Sequence, residues 1–251
     1  MSQFKGKVAV VTGGARDIGR AISVQLAKQG AKVVVNYNSS RTGAKKTVEE
    51  IESFKGKAIA VKADVSTLRG LKSLRTKTVK AFGEKVHILV NNAGGLFARK
   101  TLQEFDEEFY NLVMDVNFKS TVFAMQVFEP LMGKGSAIIN LSSLAARDGG
   151  GGGSALYASS KGAVTTFTRA MAKELGPKGI RVNALCPGLI GTKFHDDFTK
   201  DEVRAMVAGK TPVRREGNAE EVADLVTYLA SNKSTFITGA NFDINGGLAF
   251  S

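Results

Sequence analysis

Tyr157 and Lys161 stand four residues apart in the run Tyr157-Ala158-Ser159-Ser160-Lys161. On a helix this spacing puts a phenol and an ammonium on one face. A neighbouring ammonium favours phenolate over phenol, drawing the tyrosine pKa down from its ordinary value of about 10. A general acid works best with a pKa nearer the working pH. Ser143, upstream at the end of an apolar run, can supply a second hydrogen bond to a substrate oxygen. Tyr-x-x-x-Lys also recurs by chance on solvated helix faces, so the rest of the chain has to supply the context for this chemistry.

That context begins at the N-terminal end. The apolar run Lys7–Val11 leads into Thr12-Gly13-Gly14-Ala15-Arg16-Asp17-Ile18-Gly19. A glycine-rich turn between a first strand and a first helix is a dinucleotide cradle. Glycine lets the backbone approach a pyrophosphate, and the helix N-terminus offers unpaired N–H groups and partial positive charge. After the second apolar run come Asn36-Tyr37-Asn38-Ser39-Ser40-Arg41, with no carboxylate. An acidic residue there binds the ribose diol and repels a 2′-phosphate, so its absence favours NADP(H), with NAD(H) as the alternative.

The elements needed to hold these groups are legible as alternation. Lys7–Val11, Lys32–Val35, Ala58–Val61, Ile88–Val90, Ala137–Leu141, Arg181–Leu185 and Asn241–Ile244 are short and Val/Ile-rich. They predict strands buried on both faces of a parallel sheet. Amphipathic stretches lie between them; Ile18, Ile22 and Leu26 recur at spacing four, with Gly30 as a stop signal. The predicted fold class is α/β, a Rossmann-type doubly wound parallel sheet of about seven strands with helices on both faces. No repeat or linker divides it, so residues 1–251 are expected to form a single dinucleotide-binding and catalytic domain. The five glycines 149–153 predict a mobile loop at the rim of the site.

Composition narrows the classes. At 43% hydrophobic and 23% charged, the chain has the balance of a globular protein. No apolar run is long enough to span a bilayer, and the first residues lack signal-peptide regions, so a cytoplasmic protein is expected. The lone Cys186 and the two histidines, His87 and His195, predict neither an internal disulfide nor a metal site. His87 reads as a structural residue at a strand start. The net charge of +12 is spread along the whole chain, without an arginine-rich tail or aromatic-interleaved patch, so a nucleic-acid partner is not expected.

Taken in order, the glycine turn, Asn91-Asn92-Ala93-Gly94, Asn117, Ser143, Tyr157/Lys161, Pro187-Gly188 and Asp243-Ile244-Asn245-Gly246-Gly247 resemble the short-chain dehydrogenase/reductase family over nearly the whole chain. The segment Thr211–Ala230 is similar to that of 3-oxoacyl-carrier-protein reductases, a pattern shared with many sugar and polyol dehydrogenases. The resemblance implies that Tyr157 is the acid or base, that Lys161 tunes it and holds the nicotinamide ribose, and that Ser143 orients the carbonyl. It implies that Asn117 anchors a proton-relaying water. It places cofactor contacts at Gly13, Arg16, Asp17, Ile18, Gly19, Asn38, Ser39, Asp64, Val65, Asn91, Ala93, Gly94, Pro187, Gly188, Ile190 and Thr192, with Arg16 set against a 2′-phosphate. Two departures stand out: Asp17 occupies the middle glycine of the family turn, and the Ser143–Tyr157 segment is longer than in many members. The second leaves Ser142 as the alternative serine.

A substrate lid is expected over about 188–211, with glycines 188 and 191 as hinges. Phe194, Phe198, Met206 and Val207 either line the pocket or pack their helix. Arg147, Arg99, Lys100 and Lys193 fall in segments around the site and suggest a polar or anionic carbonyl substrate. Arg147, Lys193 and Phe194 join Ser143 as candidate substrate contacts. The leading expectation is an NADPH-preferring carbonyl reductase of 3-oxoacyl-thioester type, for which an acidic carrier protein is a conceivable partner. A reductase of a keto sugar acid, such as a deoxy-hexoseulose uronate, is the alternative. A non-catalytic dinucleotide sensor is the alternative of another class. Family likeness implies a homotetramer.

Overall fold

The computed structural model describes residues 2–193 and 198–250. Seven strands form one parallel sheet in the order β3-β2-β1-β4-β5-β6-β7. They are β1 (Val8–Val11), β2 (Lys32–Tyr37), β3 (Lys57–Lys62), β4 (Ile88–Asn91), β5 (Ala137–Leu141), β6 (Arg181–Pro187) and β7 (Asn241–Ile244). The central strands β1, β4 and β5 are buried throughout, which is why their sequences run apolar instead of alternating. The outer strands depart from the expectation of burial on both faces. β3 is half exposed and carries lysine at both ends, and β7 is half-buried. An edge strand has only one neighbour, and charge at its rim discourages further pairing.

Strand alternation sends Ala9 and Val11 into one core and Val8 and Val10 into the other. Helices α1 (Asp17–Lys28) and α2 (Arg41–Ser53) cover the first face, with Ile22, Leu26 and Ile51 inside. Helix α3 (Leu68–Phe82) helps cover the second through Leu71 and Leu74. Between β4 and β5 come α4 (Glu107–Met114), a π-helical turn over Asp115–Lys119, and α5 (Ser120–Phe128). After β5 come the single turn α6 (Ala145–Asp148) and the long α7 (Ala155–Leu175). Helices α8 (Asp201–Lys210) and α9 (Ala219–Ala230) follow β6. No described helix is long and apolar enough to cross a membrane.

The strand order reverses direction at β1, between β2 and β4. In an open α/β sheet the crevice at such a switch point, above the strands' carboxyl ends, is where ligands bind.

Candidate active site

A cleft of about 560 Å³ opens at this switch point. Its floor is the glycine turn. Gly13 takes a left-handed φ of +63°. A Cβ at Gly19 would collide with the Gly13 carbonyl and stand 2.6 Å from Asn92 Nδ2. The turn is stapled from three sides. Asn36, buried in β2, accepts from Gly13 N (3.2 Å) and donates to the Val61 and Ala63 carbonyls (3.3 and 3.0 Å). Asn92 Nδ2 donates to the Thr12 and Gly13 carbonyls (3.0 and 3.1 Å). Thr12 Oγ1 accepts from the N–H groups of Asn92 and Ala93 (3.0 and 3.1 Å). A backbone this tightly held at a helix N-terminus fits a dinucleotide pyrophosphate.

Asp17 has φ +49°, the left-handed region that glycine occupies most easily. Its carboxylate accepts from Lys193 N (3.2 Å) and stands 3.6 Å from Arg16 Nε. The aspartate therefore links the turn to the segment leading into α8.

At the other end, Tyr157 and Lys161 project from α7. Lys161 is buried, its Nζ donating to the Leu141 carbonyl (2.8 Å) and lying 5.9 Å from the centre of the Tyr157 ring. Gly94 must be glycine here, since a Cβ would lie 2.7 Å from Asn117 Oδ1 and 2.9 Å from Lys161 Nζ. Asn117 sits fully buried in the π turn. Its Oδ1 accepts from Gly95 N (2.9 Å), and its Nδ2 donates to the Gly95 carbonyl (2.8 Å). Single π turns inside helices often mark functional sites. Ser143 Oγ accepts from Ala145 N (3.1 Å), which leaves its own proton free to donate, and it hydrogen-bonds Tyr157. Ser142 Oγ donates to the Lys161 carbonyl (2.8 Å). Of the two serines, Ser143 is thus the one joined to Tyr157.

Burial pushes the Tyr157 phenol above its ordinary range, and the Ser143 hydrogen bond pulls it partly back. Burial lowers Lys161 to about 8, against a small opposing effect of Cys186. The expectation that Lys161 lowers Tyr157 is thus not the balance found: desolvation, which penalises the charged form of each group, is the largest effect on both.

Most of the residues singled out from sequence line this one cleft: Gly13, Arg16, Asp17, Ile18, Gly19, Asn38, Ser39, Ala93, Gly94, Ser143, Tyr157, Lys161, Pro187, Gly188, Ile190 and Thr192. Others do not. Asn91 lies within β4, its Nδ2 donating to Asn140 Oδ1 (2.8 Å) inside the sheet, while Asn92 faces the cleft. One step along a strand reverses the side chain, and the Asn-Asn pair hides which is which. The Asp64 carboxylate closes its own turn, accepting from Ser66 N and Oγ (3.0 and 2.7 Å). Neither Asp64 nor Val65 reaches the cleft wall.

Arg147 turns away from the expected substrate position. It pairs with Asp243 (3.1 Å) and donates to the Asn241 carbonyl (3.0 Å). Lys100 is engaged by Asp106 (2.7 Å), and Lys193 is exposed off the wall. Phe194 and His195 lie outside the described residues. Arg99 does line the cleft, donating to the carbonyls of Gly152 (2.7 Å) and Phe198 (3.2 Å). Thr199, Val203 and Val207 close that side, so part of the expected lid forms a wall; Met206 is exposed. Leu96, Phe97, Leu144 and Leu248 make the rest of this end largely apolar. His87 is structural, its Nδ1 accepting from Val8 N (3.1 Å).

A Rossmann-type sheet bearing this cleft defines the class, and comparison with known proteins narrows it. A family model described as enoyl-(acyl carrier protein) reductase matches residues 13–249. A 3-oxoacyl-[acyl-carrier-protein] reductase of Staphylococcus aureus is 37% identical over 248 residues, covering 96% of this chain and 98% of the relative. A short-chain dehydrogenase/reductase from Serratia marcescens superposes with TM-score 0.93 at 35% identity, covering 99% of this chain and 100% of that one. A blue fluorescent protein from a metagenomic library, solved in complex with NADPH, gives TM-score 0.91 at 34% identity, covering 99% and 100%. The chain belongs to the short-chain dehydrogenase/reductase family, and it is an NAD(P)-dependent oxidoreductase acting on CH–OH and C=O groups.

Proposed function

We propose that this protein is an NADPH-preferring carbonyl reductase of the 3-oxoacyl-thioester-reductase-like kind. The observation that carries the reading is the meeting of Ser143, Tyr157 and Lys161 at one end of a cleft whose other end is the glycine turn. A reduced nicotinamide bound along the cleft supplies the hydride. The chain's own residues handle the oxygen. Tyr157 donates its phenolic proton to the carbonyl oxygen, and Ser143 Oγ donates a second hydrogen bond to it as charge develops. Lys161, fixed through Nζ to the Leu141 carbonyl, offers the ammonium that stabilises the phenolate left behind. Asn117 holds Gly95 and the loop after β4 in place against Lys161.

Preference for NADPH is supported by a second hollow of about 290 Å³ lined by Tyr37, Asn38, Ser39, Arg41 and Lys62, without a carboxylate. It shares Asn38 and Ser39 with the cleft, and Arg16 stands at the cleft's near edge. Cations there complement a 2′-phosphate. The substrate is a carbonyl compound with an apolar body; of the cations expected around an anionic group, Arg99 alone lines the substrate end, with Asp148 on the same wall. An intact Ser143, Tyr157, Lys161 and Asn117 set favours catalysis over a sensor role. We further read residues 1–251 as one catalytic domain, with the lid near 188–211, working as a cytoplasmic homotetramer.

The test is titration with NADPH and NADH, then absorbance at 340 nm against acetoacetyl thioesters, keto sugar acids, diketones and aldehydes. Turnover that disappears in Tyr157→Phe while NADPH still binds is the expected result. Tight binding without any turnover would overturn the reductase reading in favour of the sensor.

A further inference from the structure

We infer that Arg147 is a positioning residue for Ser143: paired with Asp243, it anchors the turn behind the serine to β7 and isolates the serine from the glycine loop. The inference rests on the proposed reductase chemistry of Ser143 and Tyr157.

Ser143 is followed by α6, a single turn of four residues. One helical turn cannot hold itself, because nucleation costs more than its few hydrogen bonds return. On the far side comes Gly149–Gly153, where glycines 149, 150 and 153 take positive φ and Cβ atoms at 149 and 152 would meet nothing. The loop is tied at its far end, where Gly152 O accepts from Arg99 (2.7 Å) and Gly153 O from Lys100 N (3.0 Å), but it joins α6 through Gly149 and Gly150, and glycine carries the most backbone freedom. The fixed end of α6 must therefore be supplied from elsewhere.

Two ties supply it. Leu144 N donates to the Pro187 carbonyl at the end of β6 (2.8 Å). Arg147 spans to β7, its Nε on Asp243 Oδ1 (3.1 Å) and its Nη2 on the Asn241 carbonyl (3.0 Å). Both side chains of the pair are mostly buried, at 18% and 15% exposure. A planar guanidinium with two partners fixes orientation as well as distance, which a flexible ammonium does not. The pair also flanks Cys186, buried beside Ser142 and Ser143. Asp243 lies opposite Cys186 in the β6–β7 register, so the anchor is part of the sheet edge beneath the serine. Between the two ties, Ser143 keeps its bonds to Ala145 N and Ala146 N (3.1 and 3.0 Å) and its aim at Tyr157.

Arg147→Met removes the charge and keeps an unbranched stem. The expected result is a kcat about tenfold lower on any carbonyl the wild type reduces, with the KM for NADPH within about twofold. A second readout needs no substrate: the phenolate absorbance of Tyr157 in the NADP+ complex, taken as the difference from Tyr157→Phe. Ser143 holds the Tyr157 pKa down, so both Arg147→Met and Ser143→Ala should titrate at higher pH. Combining them should titrate no higher than Ser143→Ala alone. Arg147→Lys should recover part of the loss. If Arg147→Met does not fold, Arg147→Lys and Asp243→Asn are read in the same way. Wild-type kcat and titration in a folded variant, or full additivity with Ser143→Ala, would overturn the inference. A wild type that reduces no carbonyl would instead defeat the proposed function, and the titration would still decide the role of Arg147.

Discussion

Two glycine-rich segments flank the cleft, and they are glycine for partly different reasons. In the turn after β1, the glycines are hemmed in. A Cβ at Gly14 would stand 2.8 Å from Ser23 Oγ, and one at Gly19 would run into the Gly13 carbonyl. In the loop after α6, Cβ atoms at Gly149 and Gly152 would meet nothing within 4 Å, and one at Gly151 would meet only the tip of Arg99. The first segment uses glycine for close approach throughout; the second does so only at Gly150 and Gly153, where a Cβ would stand 2.5 Å from Ser154 Oγ and 2.9 Å from Arg99 Cβ, and leaves Gly149 and Gly152 in open space. The difference matches the two tasks. A cofactor common to a whole family needs a fixed cradle, whereas the substrate end needs a wall that can adapt.

Gly19→Ala tests the first half of that contrast and carries the largest expected effect. The new methyl has backbone on one side and the Asn92 amide on the other, so the turn must open. Overpacking of this kind costs about 1–3 kcal/mol, which predicts NADPH binding weakened by up to ~100-fold. Fluorescence titration measures it. Affinity within twofold of wild type would mean the turn is not hemmed in at all.

The tight region also carries an electrostatic cost, at Lys161. Its pKa in the fold is near 8, against an ordinary 10.5. The unfolded chain therefore holds the proton more firmly, and stability rises with pH between those values. Below pH 8 the buried ammonium costs the fold at most about 3 kcal/mol. Lys161→Met should abolish activity yet stabilise the protein at pH 7, with the gain shrinking as pH climbs from 8 towards 10.5. Urea unfolding at pH 7, 8 and 9 reads the trend. A variant less stable at pH 7 would show that the bond to the Leu141 carbonyl outweighs desolvation.

How far the sequence revealed these regions follows from the same physics. Strand–helix alternation, the glycine turn and the Tyr157/Lys161 pair are local patterns; the sheet order bears out the first, and the residues of the other two line one cleft. Lengthening between Ser143 and Tyr157 leaves Ser142 open in the sequence, and two tertiary bonds separate them: Ser143 to Tyr157, and Ser142 to the Lys161 carbonyl. Arg147 was a substrate candidate because it follows Ser143 closely. Its partner Asp243 lies 96 residues away, on a strand that only the tertiary fold brings alongside. The staples at Asn36, Thr12 and Asn92 were missed for a related reason. Buried amides and hydroxyls have no signature of their own until the strands around them are placed. A polar residue inside an apolar run, such as Asn36 at the end of Val33-Val34-Val35, was the one available hint.

Asp17 sharpens the contrast from inside the turn. It occupies a left-handed position (φ +49°) that glycine takes most easily, and its side chain brings negative charge to the turn that fits a pyrophosphate. A carboxylate near a bound phosphate repels it, by on the order of 1 kcal/mol for partly solvated charges. Asp17→Gly should therefore tighten NADPH binding about fivefold at low ionic strength, and less in high salt. It also removes the bond to Lys193 N, and direct binding of NADPH reads the charge effect apart from that tie. No change at low salt would mean the tie to Lys193 already holds the carboxylate clear of the nucleotide.

Gly152→Ala is the smallest change and the cleanest probe of the second half. Gly152 does not take a positive φ, and its Cβ would point into open space. Arg99 binds its carbonyl oxygen, which alanine retains. The substitution therefore acts on the unfolded chain, reducing its freedom and stabilising the protein by about 0.4–1 kcal/mol. If loop freedom serves the substrate end, the same variant should lower kcat for bulky carbonyls more than for small ones, with NADPH affinity unchanged. Chemical denaturation gives the first quantity, and paired kinetics on a diketone and a long acyl thioester give the second. A stabilised variant with equal kinetics on both would mean that the glycines are free but not used, leaving Arg99 and the Arg147 anchor to shape the site.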